Sequence, residues 1–186
     1  MRLPSFRIIA ISALVAGVAI AAPAYAKNPN VGGAPMYATK NIVQNAVNSK
    51  DHTTLVAAVK AAGLVDTLQG AGPFTVFAPT NEAFAALPKG TVDTLLKPEN
   101  KGQLTKVLTA HVVAGKISGK EMMAKAKAMG GKYEMKTVSG DTLTAEVKKG
   151  NLYIMDESGG EAKVTIADVN QSNGVIHVVN KVLLPK

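Results

Sequence analysis

The sequence contains no cysteine and no tryptophan, and its 186 residues include only four phenylalanines and four tyrosines. Without cysteine the chain has no disulfides, no thiolate metal ligands and no cysteine nucleophile. So few aromatic side chains leave little with which to stack nucleic-acid bases or to line a large aromatic pocket. Hydrophobic residues nevertheless make up 47% of the chain and charged residues 18%, which is typical of a folded protein. The length suggests one domain.

Arginine occurs only near the N-terminus, where Arg2 and Arg7 precede an apolar run from Ile8 to Ala22. Small residues follow this run, and the whole pattern predicts a secretory signal peptide over residues 1–26 with cleavage after Ala26. The alternative, an uncleaved anchor, is disfavoured because the run is shorter than the ~20 residues of a membrane-spanning helix. No later stretch is apolar enough to span a bilayer. We therefore expect a soluble bacterial protein that is periplasmic or secreted.

Beyond residue 26 all 19 cationic side chains are lysines. Because recognition of phosphate or guanine normally uses the arginine fork, nucleic-acid binding is not expected. Residues 101–149 hold ten lysines against four acidic residues, a local charge of +6. This region would attract anionic polysaccharide or lipid headgroups in a salt-dependent way, or it is simply a solvated face that keeps the protein soluble. The candidate interaction residues are Lys106, Lys116, Lys120, Lys125, Lys127 and Lys132.

The remaining chain divides into a helical half and a strand-rich half. Residues 27–38 are rich in Gly, Pro and Asn and predict a flexible leader, so the folded domain is expected over residues 39–186. From Thr39 to about Gly131 apolar residues recur at helical spacing, interrupted by one alternating run between Pro73 and Pro79. From Lys132 to Pro185 alternating runs separated by tight turns predict an antiparallel meander. Helices that cover the apolar faces of these strands would give an α+β domain.

Side chains able to perform catalysis or to hold a metal ion form no local motif. No serine lies in a G-x-S-x-G segment, and His52, His111 and His177 have no His, Asp or Glu partner at helical spacing. The favoured interpretation of His111 is a buried neutral imidazole bonded to a backbone carbonyl, and a ligand or pH switch is the alternative. The same interpretation applies to His177. We therefore expect no catalytic residues, no cofactor and no metal site.

Two sequence blocks resemble the characteristic segments of a known family. Residues 72–84, GPFTVFAPTNEAF, resemble the first signature of fasciclin-type domains, and residues 173–185, NGVIHVVNKVLLP, resemble the last. Between them the segment HVVAG, which begins at His111, looks like the Tyr-His segment of the family. The resemblance covers about residues 41–185. The family-signature residues in this sequence are Phe74, Thr75, Phe77, Pro79, Thr80, Asn81, Phe84, His111, Gly174, His177, Leu184 and Pro185.

The resemblance implies a wedge in which a helical layer packs on an antiparallel β-sandwich of about seven strands. It places the strand over Phe74–Phe77 beside the strand over Val175–Val179 at the centre. It also implies an exported, single-domain adhesion module that binds proteins or glycans at the cell surface, in the matrix or at a host or symbiotic interface, without performing chemistry. The integrin contact proposed for animal relatives is not transferred, because Ala110 stands at the position of the tyrosine.

Two other functions stay open on the sequence alone. A periplasmic carrier of a small apolar molecule would need a closed apolar pocket of ~300 Å³ or more. A hydrolase, which is less favoured, would need an acidic residue and a histidine that converge on a serine in a cleft.

Overall fold

A computed structural model describes residues 28–186, and the signal peptide expected over residues 1–26 lies outside the described residues. The helices are α1 (Ile42–Ala46), α2 (Thr53–Ala62), α3 (Val65–Gln69), α4 (Asn81–Ala85), α5 (Thr91–Leu95), α6 (Lys101–Thr109) and α7 (Gly119–Ala128). The strands are β1 (Asn30–Val31), β2 (Ala34–Pro35), β3 (Phe74–Pro79), β4 (Val112–Ala114), β5 (Lys132–Lys136), β6 (Thr142–Lys148), β7 (Asn151–Met155), β8 (Glu161–Gln171) and β9 (Gly174–Val179). This composition confirms the predicted α+β class.

Seven strands form one sheet in the order β4-β3-β9-β8-β7-β6-β5. The neighbouring strands β3 and β9 are parallel, with Phe74 opposite Gly174 and Pro79 opposite Val179. The other neighbouring pairs in this sheet are antiparallel, so the strand-rich half is the predicted meander. The expectation that the two signature strands lie side by side is therefore confirmed, but they are the second and third strands of this order and β8 is the middle one.

The sheet curves until its two edge strands approach each other. Val113 on β4 forms an isolated antiparallel bridge with Thr137, which directly follows β5. Beside it, the backbone N–H of Val138 donates to the carbonyl oxygen of Val112 at 2.8 Å. The two layers of the expected sandwich are thus opposite walls of one curved sheet.

Side chains of β3 and β9 point alternately into two separate hydrophobic cores, because successive residues of a strand face opposite sides of the sheet. Val76 and Ile176 face the helical layer and pack in one cluster with residues of α1, α2 and α6. Phe77 and Val179, each 0% exposed, face the inside of the curved sheet and pack with Met122 of α7 in the other cluster. Each large side chain buried in this way contributes roughly 1.5–3 kcal/mol to the stability of the fold.

Side-chain caps fix where several helices begin. The hydroxyl of Thr80 accepts a hydrogen bond from the backbone N–H of Ala83 at 3.3 Å at the start of α4. The hydroxyl of Ser118 accepts one from the N–H of Glu121 at 3.1 Å at the start of α7. Such caps supply an acceptor to amides that have no partner inside the helix.

The segment expected to be a flexible leader is instead packed against the domain in its described part. β1 pairs with β2, and the side chains of Val31 and Met36 are 4% and 2% exposed within the helical-layer core. The N–H of Lys50 donates to the carbonyl oxygen of Gly32 at 3.2 Å and ties this hairpin to the chain before α2. The Gly- and Pro-rich composition indicates turns correctly, but two isolated apolar side chains are enough to anchor them.

Candidate functional site

His111 lies at the end of α6 with both ring nitrogens bonded to the backbone. Nδ1 donates to the carbonyl oxygen of Val107 at 2.8 Å, and Nε2 accepts from the N–H of Leu183 at 2.9 Å. Burial lowers the pKa of His111 to about 4, so the ring is neutral at physiological pH. His111 and Ala110 are each 2% exposed, so this segment offers no surface to a partner.

His177 lies on β9 and is fully buried inside the curved sheet. Its Nε2 donates to the carbonyl oxygen of Ile117 at 2.9 Å, and its Nδ1 accepts from the N–H of Asp168 at 3.2 Å. The ring lies beside Phe77, with centroids 5.7 Å apart, and burial lowers the pKa of His177 below its ordinary value. The carboxylate of Asp168 in turn accepts from the N–H of Gly119 at 2.7 Å, at the first residue of α7. A signature histidine thus fixes the position of α7.

Polar signature residues also join distant segments. The hydroxyl of Thr75 donates to the carbonyl oxygen of Gly115 at 2.7 Å and accepts from the N–H of Ile117 at 2.9 Å. The side-chain oxygen of Asn81 accepts from the N–H of Thr54 at 3.0 Å. The remaining signature positions lie on β3 (Phe74, Phe77 and Pro79), at the N-cap of α4 or within it (Thr80 and Phe84), on β9 (Gly174) and in the segment after β9 (Leu184 and Pro185). These contacts make the signature a scaffold.

Two of the six candidate lysines share one face of α7, and a third precedes this helix in the chain. Lys120 and Lys127 lie seven residues apart on the exposed face of α7, a spacing that places both side chains on one side of a helix. Lys116, also exposed, lies in the short segment that leads into α7. We call Lys116, Lys120 and Lys127 the α7 lysine surface. Within residues 28–186 none of these three ammonium groups forms an ion pair.

The other three candidate lysines lie elsewhere or are engaged. Lys125 lies 2.9 Å from the Glu121 carboxylate and over the Tyr133 ring at 4.9 Å, and its hydrogen bond with Glu121 raises the pKa of Lys125. Lys132 alternates with Tyr133 on β5 and so faces away from α7. Lys106 is on α6 and donates to the backbone carbonyl of Lys186. The i,i+4 spacing of Glu121 and Lys125 is visible in the sequence, whereas the contact of Lys106 with Lys186 depends on how distant segments pack.

An apolar cleft opens between the helical layer and the edge of the sheet, with a cavity volume of about 70 Å³. It is lined by α1, α2, α3, β3, β4 and the end of α6, and its floor includes Leu55, Val59, Leu68, Val76 and Leu108. This volume is well below the ~300 Å³ of a typical pocket for a small molecule, so the cleft does not enclose a whole molecule of that size.

The sequence gives no sign of a contact between Ser49 and His52, whose side chains lie 2.9 Å apart from Oγ to Nδ1. Both residues are buried, and the backbone of Gly32 lies directly against the Ser49 hydroxyl. Burial lowers the pKa of His52. The adjoining space is about 30 Å³, enough for a water molecule and too small for an ester or amide substrate. The pair therefore lacks a cleft large enough for the substrate of a hydrolase.

Within residues 28–186, no helix has the combined length and apolarity to cross a membrane. In the same part of the chain, no three His, Asp or Glu side chains converge as metal ligands would.

Comparisons with known proteins agree with this architecture. The chain matches the Fasciclin domain family over residues 50–185. It is 45% identical over 187 residues to Protein sll1483 of Synechocystis sp., with 96% of each chain covered. It is 42% identical over 144 residues to the uncharacterized protein sll1735 of the same organism, covering 77% of this chain and 97% of that protein. A solved FAS1 domain pair from the insect cell adhesion molecule Fasciclin I shares the fold, with a TM-score of 0.70 at 17% identity over 78% of this chain and 51% of that chain.

Proposed function

The chain belongs to the fasciclin domain family, and on that premise we propose that it is an exported, non-enzymatic adhesion module that binds a protein or an acidic glycan. Its setting is the cell surface, the matrix or a host interface, and it is periplasmic or secreted. Two observations support this proposal. Fasciclin I, which has the same fold, is a cell adhesion molecule, and the N-terminal sequence has the pattern of a secretory signal.

The observation that carries the proposal is the α7 lysine surface on a rigidly held helix. Met122 and Ala126 on the inner face of α7 are each 0% exposed, and Asp168 holds the first turn through Gly119. A helix fixed in this way presents its lysines with little loss of backbone entropy on binding. Its ammonium groups suit the carboxylate or sulfate groups of an acidic glycan or the acidic side chains of a protein.

Contacts of this kind are weak one by one. An exposed ion pair contributes about 0–1 kcal/mol and is screened by salt, so several lysines must act together. A single domain also lacks avidity, and useful adhesion requires several contacts or several copies.

The chemistry of the buried side chains supports a non-enzymatic role. Both ring nitrogens of His111 and of His177 are bonded to backbone groups or amides, which leaves them no free position for proton transfer to a substrate. The space beside the Ser49–His52 pair is too small for a substrate.

A binding experiment tests the proposal directly. The purified protein is applied to immobilised acidic polysaccharide, to matrix proteins and to envelope fractions across a range of salt concentrations. We expect binding that weakens as salt increases. A triple variant of the α7 lysine surface, Lys116→Glu, Lys120→Glu and Lys127→Glu, should lower the affinity by about tenfold or more.

The matched control carries Lys89→Glu, Lys101→Glu and Lys181→Glu, three exposed lysines away from α7 that give the same change in net charge. This control should keep most of the binding. Absence of binding across the panel, or equal loss in both triple variants, would contradict the proposal.

Export is tested separately. Cell fractionation followed by N-terminal sequencing should find the protein in the periplasm or the medium, with Lys27 as its first residue. A cytoplasmic protein that retains Met1 would overturn this part of the proposal.

A further inference from the structure

The apolar cleft differs from the α7 lysine surface in both position and chemistry. Its lining comes from the helical layer and from β3 and β4, and it is almost entirely carbon. Val138, which also lines the cleft, is 49% exposed. Free energy is gained when an apolar group displaces water from an apolar concavity of this kind.

Among the lining residues of the cleft, one carries a charge. Lys60 lines it and is exposed, and it forms no ion pair in the described part of the chain. No acidic side chain is among the lining residues, and His111, which also lines the cleft, has both ring nitrogens occupied by the backbone. Thr67 adds a hydroxyl to the lining. The cleft therefore combines apolar walls with a single unpaired cation.

We propose that this cleft binds a free alkyl monocarboxylate, a fatty acid, with its hydrocarbon end in the cleft and its carboxylate paired with Lys60. A fatty acid is an apolar chain that ends in one negative charge, which is complementary to this arrangement. A cationic amphiphile of the same length lacks that complementarity, and a neutral hydrocarbon leaves Lys60 unpaired.

The size of the cleft sets how much of the chain is enclosed. Its volume of about 70 Å³ is roughly half of the ~150 Å³ of an apolar cavity that holds benzene. The cleft thus encloses the terminal few carbons, and the rest of the chain lies in the open mouth beside Val56, Leu64 and Val65. Affinity should therefore increase with chain length and then level off once the mouth is covered.

A chain-length series measures this directly. The purified protein is titrated by calorimetry with hexanoate, octanoate, decanoate and dodecanoate, each below its micelle concentration. We expect one site, with an affinity that increases about fourfold per added methylene until it levels off. Alkyltrimethylammonium ions of matched length should bind at least about tenfold more weakly. No binding of any carboxylate, or equal binding of the cationic series, would overturn the proposal.

Substitutions locate the site. Lys60→Glu should weaken decanoate binding by about tenfold or more, whereas Lys89→Glu, an exposed lysine outside the cleft, should leave it unchanged. Ala46→Leu fills the cleft from α1 and should abolish the chain-length dependence. If that variant does not give a native circular dichroism spectrum, Val56→Phe closes the mouth from α2 instead. Unchanged binding in a folded, cleft-filled variant would place the fatty acid elsewhere and refute the assignment.

Discussion

The Nε2 atom of His111 accepts a hydrogen bond from the backbone N–H of Leu183, 2.9 Å away and 72 residues later in the chain. The next N–H, that of Leu184, donates to the carboxylate of Asp156 at 2.9 Å. Two side chains from different parts of the fold thus hold consecutive amides of the segment after β9. Because Nδ1 of His111 is bonded to Val107, one imidazole joins the end of α6 to this segment.

Replacing this imidazole should destabilise the protein without changing its fold. In His111→Leu the buried N–H of Leu183 loses its acceptor and the carbonyl oxygen of Val107 loses its donor, which should cost about 1–3 kcal/mol. Urea unfolding measures the free energy. Gln103→Leu, on the exposed side of the same helix, is the control and should change it by less than about 0.5 kcal/mol. An unchanged unfolding free energy in His111→Leu would show that the histidine faces solvent.

Acid should weaken the fold through the same ring. The pKa of His111 is about 4 in the folded protein against an ordinary value of 6.5, so the unfolded chain takes up the proton first. The contribution of the neutral His111 ring to the free energy of unfolding is therefore fully present above about pH 6.5. This contribution decreases by up to about 3 kcal/mol as the pH drops toward 4. Burial also lowers the pKa of His52 and of His177, so both residues add to the decrease in the free energy of unfolding at acidic pH. Unfolding curves over this range test it, and His111→Leu should show a shallower dependence than the unsubstituted protein.

A methyl group at Gly174 should disrupt the pairing of β3 with β9. A Cβ built there would collide with the carbonyl oxygen of Phe74 on β3, and the backbone of β3 cannot move aside because it is paired with β4 and β9. Gly174→Ala should therefore cost more than about 3 kcal/mol or prevent folding. Gly102→Ala is the matched control, because this exposed glycine of α6 has no atom near its added methyl and should gain roughly 0.5–1 kcal/mol. Melting temperatures distinguish the two, and a stable Gly174→Ala protein would contradict the register of β3 and β9.

Asn173 should be as important to stability as an apolar core residue. Its side-chain nitrogen donates to the carbonyl oxygens of Leu68 and Gly70 at 2.8 and 3.0 Å, and its oxygen accepts from the N–H of Ile42 at 3.1 Å. Asn173→Ala leaves these three backbone groups without that partner and should cost about 2–4 kcal/mol. Asn151→Ala removes one long, exposed hydrogen bond to Lys149 and should cost less than about 1 kcal/mol. Equal effects of the two substitutions in denaturant unfolding would refute this role.

β3 and β9 could each be predicted as a strand from local signals, whereas their adjacency is predicted from the family resemblance. The run from Phe74 to Phe77 alternates between prolines, and the run from Val175 to Val179 is apolar on both faces, as a strand covered on both sides must be. The parallel direction of the pair is not visible in either run, since residue alternation is the same for both directions.

The candidate interaction surface could be predicted only in part. Spacing places Lys120 and Lys127 on one helix face and Glu121 one turn before Lys125, whereas the contact of Lys125 with Tyr133 depends on the packing of α7 on β5. The apolar cleft gives no separate signal either, because its lining residues have the same helical periodicity as residues of a filled core. Such features depend on how elements pack, and a one-dimensional pattern carries little of that information.

The parallel pairing of β3 with β9 has a consequence for biogenesis. The partner of β3 follows it by about 100 residues in the sequence. The ribosome has therefore almost finished the chain before β3 and β9 can pair. Until then one edge of β3 lacks its hydrogen-bonding partner, and an unpaired strand edge of this kind promotes aggregation. Any early stop before Gly174 would leave this edge permanently open and commit the product to degradation or aggregation.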